Sequence, residues 1–78
     1  MDITVSEALW ALSMMPEGIL ERWRVQDGAL VAVGDAVAEV MIEGALHEIL
    51  APSDGRLTIH LKHSSLVEPG TAIGELTF

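Results

Sequence analysis

The sequence predicts an all-β domain, a closed sandwich or barrel of short strands with two matching halves. Short runs of Val, Ile and Leu alternate with turn signals such as Asp27-Gly28 and Pro69-Gly70, a pattern typical of sandwiches and barrels. The chain also repeats itself, since residues 18–40 can be laid over residues 55–76. Two copies are too few to stack as a solenoid, so the pattern favours a closed domain with pseudo-two-fold symmetry.

The repeat keeps a constant spacing over most of its length. Gly18 and Gly55 lie 37 positions apart, whereas the later matches lie 36 apart, so the second copy is one residue shorter. We place the missing residue near Ser64-Ser65. The matching residues are Leu30, Val31, Gly34, Ala36, Val37, Glu39 and Val40 in the first copy, and Leu66, Val67, Gly70, Ala72, Ile73, Glu75 and Leu76 in the second.

Two segments have local propensities that disagree with an all-β fold. Ser6–Met15 has the composition of a helix with Ser6 as its N-cap, and this conflict stays open. Glu39–Leu50 is also compatible with a helix, but Gly44 at its midpoint would cost a helix about 1 kcal/mol. The repeat favours a hairpin there, with Glu43-Gly44 as a two-residue turn in which glycine supplies a positive φ. The predicted strands are Ile3–Ser6, Gly18–Val25, Leu30–Val31, Val37–Ile42, Leu46–Ala51, Arg56–Leu61, Leu66–Val67 and Ala72–Thr77.

Length and composition restrict the class of protein. The 78 residues predict a single domain over residues 1–78, half of them are apolar, and the absence of cysteine excludes disulfides, zinc-thiolate sites and thiol catalysis. A net charge of −8 disfavours nucleic acid and anionic membranes and favours cationic partner surfaces. No apolar run approaches the roughly 18 residues that span a bilayer. Asp2 and Glu7 stand where an export signal would be positive, so we expect a cytoplasmic location.

Four motifs of the chain match, in order, the pattern of one domain family. "WALSMMPEG" and "VQDGALVAVGDAVAEV" resemble W-G-L-S-M-T-E-G and E-G-D-x-V-x-x-G-D-x-L-x-E-I. "APSDGRL" and "LVEPGTAIGEL" resemble A-P-x-D-G-x-L and x-V-x-x-G-x-P-I-x-x-I. An additional Met15 and the replacement of a Gly-Asp turn by Ser64-Ser65 are the departures. These motifs give the chain a resemblance to the biotinyl/lipoyl domain family, and to its lipoyl branch more than its biotinyl branch. The resemblance implies a flattened barrel of two four-stranded antiparallel sheets, a barrel-sandwich hybrid.

The same resemblance identifies what the hairpin lacks. In the family the tip reads Asp-Lys-Ala or Met-Lys-Met, and the lysine carries lipoate or biotin as an amide. Glu43 matches the aspartate, Gly44 the lysine and Ala45 the alanine, so we expect no cofactor. Lys62 is the only lysine, and it falls at the end of the sixth predicted strand rather than at the tip.

Partner contact is the function that the resemblance implies for the remaining site residues. In lipoyl domains an exposed loop beside the tip helps partner enzymes to recognise the domain, and Ala8–Pro16 matches that loop. For Trp10, partner contact and simple packing stand as equal alternatives, whereas Trp23 is expected to pack in the core. The predicted contact residues are Trp10, Ser13, Met14, Glu43 and Gly44.

Other side chains that suggest chemistry have simpler interpretations. His60 and His63 are three positions apart and should diverge from a strand, so no metal site is expected. Nothing in the sequence indicates a cleft that would give two carboxylates the different pKa values of a catalytic acid and base, so we expect no enzyme. The histidines are His47, His60 and His63; the turn carboxylates are Asp27, Asp35 and Glu43; and Glu39, Glu48 and Glu75 are expected to face solvent.

Three functions remain open. The first is an unmodified lipoyl-like or biotinyl-like module that docks through the tip and Ala8–Pro16 to an enzyme of the 2-oxo acid or acetoin dehydrogenase type, or to a lipoate- or biotin-handling ligase. The second is a genuine lipoyl or biotin carrier, of an acyltransferase or a biotin-dependent enzyme, whose lysine was lost by mutation or engineering. The third is a stand-alone adaptor like the lipoyl hairpins of membrane-fusion proteins.

Overall fold

The computed structural model describes residues 1–78 and shows eight strands in two four-stranded antiparallel sheets. One sheet has the strand order β1-β8-β6-β3 and the other β5-β4-β2-β7. The predicted all-β fold of two sheets is therefore confirmed. No helix is long and apolar enough to cross a membrane. The strands are β1 Asp2–Thr4, β2 Gly18–Trp23, β3 Leu30–Val31, β4 Ala36–Ile42, β5 Ala45–Leu50, β6 Gly55–Ile59, β7 Leu66–Val67 and β8 Ala72–Thr77.

The segment with helical propensity forms only a single short turn of helix. A 3₁₀ helix spans Glu7–Trp10, and the Ser6 hydroxyl caps it by accepting the Ala8 N–H at 3.2 Å. Pro16 follows shortly afterwards and disfavours helical backbone at the residue before it. The N-cap prediction is confirmed, whereas the helix to Met15 is not formed.

The two halves of the chain make equivalent hydrogen bonds, which confirms the internal repeat. The Gly28 N–H donates to the Leu57 carbonyl at 2.8 Å, and the Ser64 N–H donates to the Leu20 carbonyl at 2.7 Å. Ser64 has a φ of 71°, close to the 86° of Gly28, so the serine turn reproduces the glycine turn. The sheets are thus related by the predicted pseudo-two-fold symmetry.

The extra residue of the first copy lies in β2, which corrects the prediction that the difference arises at the serine turn. In β2, Leu20 pairs with Val40 and Arg22 pairs with Glu39, so Glu21 remains as a bulge. The equivalent pairs of β6 follow without interruption. A bulge takes up one residue without moving the flanking pairs to the other face of the sheet.

Apolar side chains between the two sheets form one core. Glu39 is the exception among the buried side chains, and this corrects the prediction that it faces solvent. It is covered by Arg22 and Arg24, whose nitrogens lie 2.6 and 3.7 Å from its carboxylate oxygens. The core residues are Ile3, Val5, Trp10, Leu20, Val31, Val37, Ala38, Val40, Ile42, Ile49, Ala51, Leu57, Val67, Ile73 and Leu76.

The β4–β5 hairpin and the chain termini lie at opposite ends of the molecule. The hairpin closes after the Ile42–Ala45 pair. Thr77 instead pairs with Arg56, next to the connection that follows the far end of β5. The hairpin tip is therefore free of the termini.

Candidate functional site

The hairpin tip is a tight two-residue turn. Ile42 and Ala45 form the last pair of the ladder, and Glu43 and Gly44 connect them with φ angles of 48° and 83°. Positive φ at both central residues is the signature of a type I′ turn, whose twist matches the flanking strands. The predicted two-residue turn is confirmed, and both turn residues are exposed.

The tip carries no group that forms an amide with a carboxylic acid cofactor. Glu43 is acidic and Gly44 has no side chain, so the tip residues do not fit a covalently attached acyl group. The space itself is open, since a Cβ built on Gly44 meets nothing within 4 Å. The exposed Lys62 lies in the β6–β7 connection, next to Leu61, whose carbonyl accepts a hydrogen bond from Trp23 at 2.8 Å.

Trp23, which contacts the neighbour of that lysine, lies away from the tip. It pairs with Ala38, four residues before the tip-side end of β4, which corresponds to roughly 13 Å of strand. Its ring lies over Gly74, where an added Cβ would come within 3.2 Å of it, and it packs against the core. The packing role predicted for Trp23 agrees with these contacts.

The Ala8–Pro16 segment is fastened to the tip by the first turn residue. The Glu43 carboxylate accepts the Met14 N–H at 3.2 Å, across 29 positions of sequence. Within the segment, the Ser13 hydroxyl accepts the Met15 N–H at 3.1 Å, so its oxygen shapes the local turn. Met14 is exposed and Ser13 half-buried. The structure therefore brings Ser13, Met14, Glu43 and Gly44 to one end, where the contact role assigned to them stays a prediction.

Trp10 differs from the other predicted contact residues because it is buried. Only 8% of it is exposed, and it belongs to the core cluster. Of the two alternatives for this residue, its burial favours packing, and contact with a partner stays a prediction. Its indole nitrogen is the one buried side-chain nitrogen or oxygen without a hydrogen-bond partner.

Two shallow apolar grooves lie on either side of Glu43. The first, about 470 Å³, separates the hairpin from the 3₁₀ helix and contains His47 in its wall. The second, about 220 Å³, lies over the outer face of the sheet and is lined by Met15, Glu17, Gly18, Ile19, Met41, Glu43 and Leu66. Sequence reasoning had assigned Glu43 and the segment with Met15 to the contact surface but missed the sheet residues Ile19, Met41 and Leu66. Strand β4 gave a signal for them, since it has apolar side chains on both faces.

The remaining titratable side chains are dispersed. His60 Nε2 lies 3.6 Å from Glu75, and His63 contacts Ser64. Both histidines follow Ile59, where β6 ends, so strand alternation does not apply to them. No three His, Cys, Asp or Glu side chains are placed to hold a metal ion. Asp27 and Asp35 accept backbone N–H groups at 2.8 and 2.9 Å, which is the structural role predicted for turn carboxylates.

One ionic cluster lies on the outer face of the second sheet, away from the tip. Arg22 hydrogen-bonds Glu39, and Arg24 contacts Glu48 at 2.7 Å. The hydrogen bond and the charge of Glu39 raise the pKa of Arg22 above its usual value. The cluster uses two of the four cationic side chains of the protein.

Comparison with known proteins agrees with this geometry. A family model described as "Biotin-requiring enzyme" matches residues 11–76. Acetyl-CoA carboxylase dmxL1 of Cryptosporiopsis sp. (strain 8999) is 33% identical over 60 residues, which are 77% of this chain and 3% of the carboxylase. The chain thus spans a small fraction of that relative's length.

A solved structure shows the same fold over nearly the whole chain. The lipoyl domain of the 2-oxoglutarate dehydrogenase complex from Azotobacter vinelandii superposes with a TM-score of 0.74 at 21% identity, covering 97% of this chain and 96% of that domain. At this identity the likeness concerns the fold alone. Because the family model spans most of the sequence, the chain belongs to the family of biotin/lipoyl attachment domains.

Proposed function

We propose that this attachment domain is not modified and acts as a protein-recognition module. Its tip and its Ala8–Pro16 segment form one surface that docks to a larger enzyme, and the domain itself catalyses no reaction. The proposal takes Gly44 as the residue at the position of the acceptor lysine.

The observation that carries the proposal is the construction of the tip. A type I′ turn with glycine at its second position presents no amine, yet the Glu43–Met14 hydrogen bond holds the neighbouring loop against it. A fold retained only as a spacer would not require a tip fastened to the loop. The arrangement supports a surface that is kept for contact after the attachment chemistry has gone.

The relatives suggest the class of partner. One match is a carboxylase and the other a lipoyl domain of a dehydrogenase complex, and both are therefore parts of multienzyme assemblies. We infer a protein partner of the dehydrogenase type, or a ligase that handles lipoate or biotin. The net charge of −8 supports a partner with a cationic contact surface.

The mass of the intact protein tests the proposal. The protein is co-expressed with a lipoate ligase and, separately, with a biotin ligase, each with its cofactor supplied. We expect the unmodified mass in both cases because Gly44 offers no amine and Lys62 lies outside the tip. Added mass of either cofactor on the wild-type chain would overturn the proposal.

A second candidate is a carrier domain that has lost only its lysine. The unobstructed space around Gly44 favours it, since a lysine side chain there would project without a clash. Under this hypothesis Gly44→Lys becomes modified by one of the ligases. The matched control is Gly34→Lys, in a turn at the other end with a φ of 88° and equally open surroundings. Modification at position 44 alone would support the carrier hypothesis; a folded but unmodified Gly44→Lys would reject it.

A further inference from the structure

A row of four apolar side chains crosses the outer face of the sheet next to the tip. Met41 pairs with Leu46 on one side and Ile19 on the other, and Ile19 also pairs with Leu66. We call Leu46, Met41, Ile19 and Leu66 the apolar row. Ile19, Leu46 and Leu66 are 41, 50 and 64% exposed. The row thus reaches from one edge of the sheet to the other without being part of the core.

The fold does not require this row, as the other half of the chain shows. The pseudo-two-fold symmetry relates it to Leu30, Arg56 and Thr77, which pair across the opposite sheet. A cation and a hydroxyl there occupy the places of Ile19 and Met41. The two sheets have equivalent turn hydrogen bonds, and the opposite sheet forms with polar residues in the places of Ile19 and Met41.

The groove over three residues of the row, Ile19, Met41 and Leu66, is lined by both apolar and acidic residues. Met15 extends the apolar surface, and the carboxylates of Glu17 and Glu43 line the same groove. Neither carboxylate forms an ion pair. A ligand surface that matches it has apolar side chains with cations next to them.

The protein itself supplies almost no cation for this place. Arg22 and Arg24 are engaged by Glu39 and Glu48. Arg56 donates to the Gly28 carbonyl at 2.8 Å, on the opposite sheet. A second copy of this chain would therefore bring its own acidic groove against the first, and a net charge of −8 on each copy opposes that contact.

We infer that the apolar row is a docking surface for a segment of a partner protein that carries basic side chains beside apolar ones. The inference rests on the proposed recognition role and adds to it a second surface, on the sheet beside the tip, and the chemistry of the partner. The apolar side chains of the partner segment cover the row, and its cations lie against Glu17 and Glu43. Rising salt weakens the contact with these exposed carboxylates.

A peptide titration followed by NMR tests this surface. The probe is a capped peptide alternating lysine and leucine, and two control peptides alternate lysine with serine and glutamate with leucine. We expect amide shifts of the wild-type protein to change mainly at the apolar row, at Glu17 and at Glu43. Both control peptides should bind more weakly, because each lacks one half of the required chemistry.

Matched variants distinguish binding at the apolar row from non-specific electrostatic binding to an acidic protein. Leu66→Thr should raise the Kd of the lysine–leucine peptide by about fivefold or more, because it removes apolar contact area. Leu30→Thr is its symmetry-related control on the other sheet, 74% exposed, and should change the Kd less than about twofold. Glu17→Gln should weaken binding more than Glu68→Gln, which changes a carboxylate outside the groove.

The outcomes that overturn the inference are distinct from those that overturn the proposed function. Equal effects of Leu66→Thr and Leu30→Thr, shifts spread over both sheets, or equal binding of the glutamate–leucine peptide would reject the row as the docking surface. Concentration-dependent dimerisation in sedimentation experiments that Leu66→Thr abolishes would replace the partner segment by a second copy. Cofactor attachment to the wild-type chain would instead reject the unmodified state.

Discussion

Replacing Gly44 with lysine should lower the free energy of unfolding, even though the new side chain meets no obstacle. The φ of Gly44 is +83°, in the left-handed region, where a residue with a Cβ is less favourable by about 1–2 kcal/mol. The substitution also stiffens the unfolded chain, which offsets about 0.4–1 kcal/mol of that cost. Because a Cβ at this position has nothing within 4 Å, no steric clash adds to the backbone cost of the substitution. The expected net loss is about 1 kcal/mol.

Thermal and urea unfolding measure this loss. For a domain of this size a loss of about 1 kcal/mol lowers the melting temperature by about 4–8 °C. The urea midpoint should fall while the m value stays unchanged, because the surface exposed on unfolding is the same. Gly44→Ala should lose about as much as Gly44→Lys, since the cost lies in the backbone. Gly44→Asn should lose less, because asparagine tolerates left-handed backbone.

Gly34→Lys provides the matched control for the strain. Its φ is +88° and a Cβ there also meets nothing within 4 Å, so its loss should equal that of Gly44→Lys within error. If Gly44→Lys proved as stable as the wild type while Gly34→Lys lost stability, the tip would have changed to a turn that accepts lysine. That result would refute the claim that this backbone is specialised for glycine.

Three other predictions concern the frame that holds the tip. Asp27→Ala should lower the free energy of unfolding, measured in urea, by about 1 kcal/mol, because the Asp27 carboxylate accepts the Ile59 N–H at 2.8 Å. Leu20→Ala leaves a cavity at a fully buried position and should lower the free energy of unfolding by about 3 kcal/mol. Leu66→Ala, at an exposed position, should leave the urea midpoint nearly unchanged. Deleting Glu21 removes the bulge, and the circular dichroism spectrum should remain that of a folded domain. Deleting Thr58 from the regular strand β6 moves the neighbouring side chains to the opposite face of the sheet, so the same measurement should show an unfolded domain.

The fold was predictable because turn residues recur at matching positions in the two copies of the repeat. Gly28, Gly34 and Gly70 all have a positive φ in the structure, and each stands at a turn that the repeat indicated. Apolar residues fixed at the same spacing from these turns place the strands in the right order. The ends of the strands were less well defined: β2 ends at Trp23 and β6 at Ile59, each two residues before the predicted end.

The sequence was least informative where a contact between distant residues decides the outcome. In the sequence, Glu39 resembles any outward-facing strand carboxylate, but Arg22 of the neighbouring strand and Arg24 just after its end cover it. Trp10 lies in a segment whose propensity is helical, and only the packing of that segment against the barrel shows that its indole is buried. Local patterns do not contain either fact.

For a related reason, only part of the candidate site could be predicted from the sequence. The absence of an amine at Gly44 is a property of sequence alone, and so is the two-residue length of the turn. The Glu43–Met14 hydrogen bond joins residues 29 positions apart, and the apolar row joins residues of four strands. Such surfaces appear only when the register of the sheet is known.

The comparison of the two halves separates what the fold needs from what it only permits. Both halves need the turn bonds and the buried residues, because these recur at equivalent positions. The features that do not recur are the Glu21 bulge, the Arg22–Glu39 ion pair, the apolar row and the fastened type I′ tip, whereas His60 and Glu75 repeat the Arg24–Glu39 contact. All four lie on the sheet that carries the hairpin. Since packing alone cannot account for an asymmetry confined to one of two matching sheets, that sheet is where contact with other molecules should be sought.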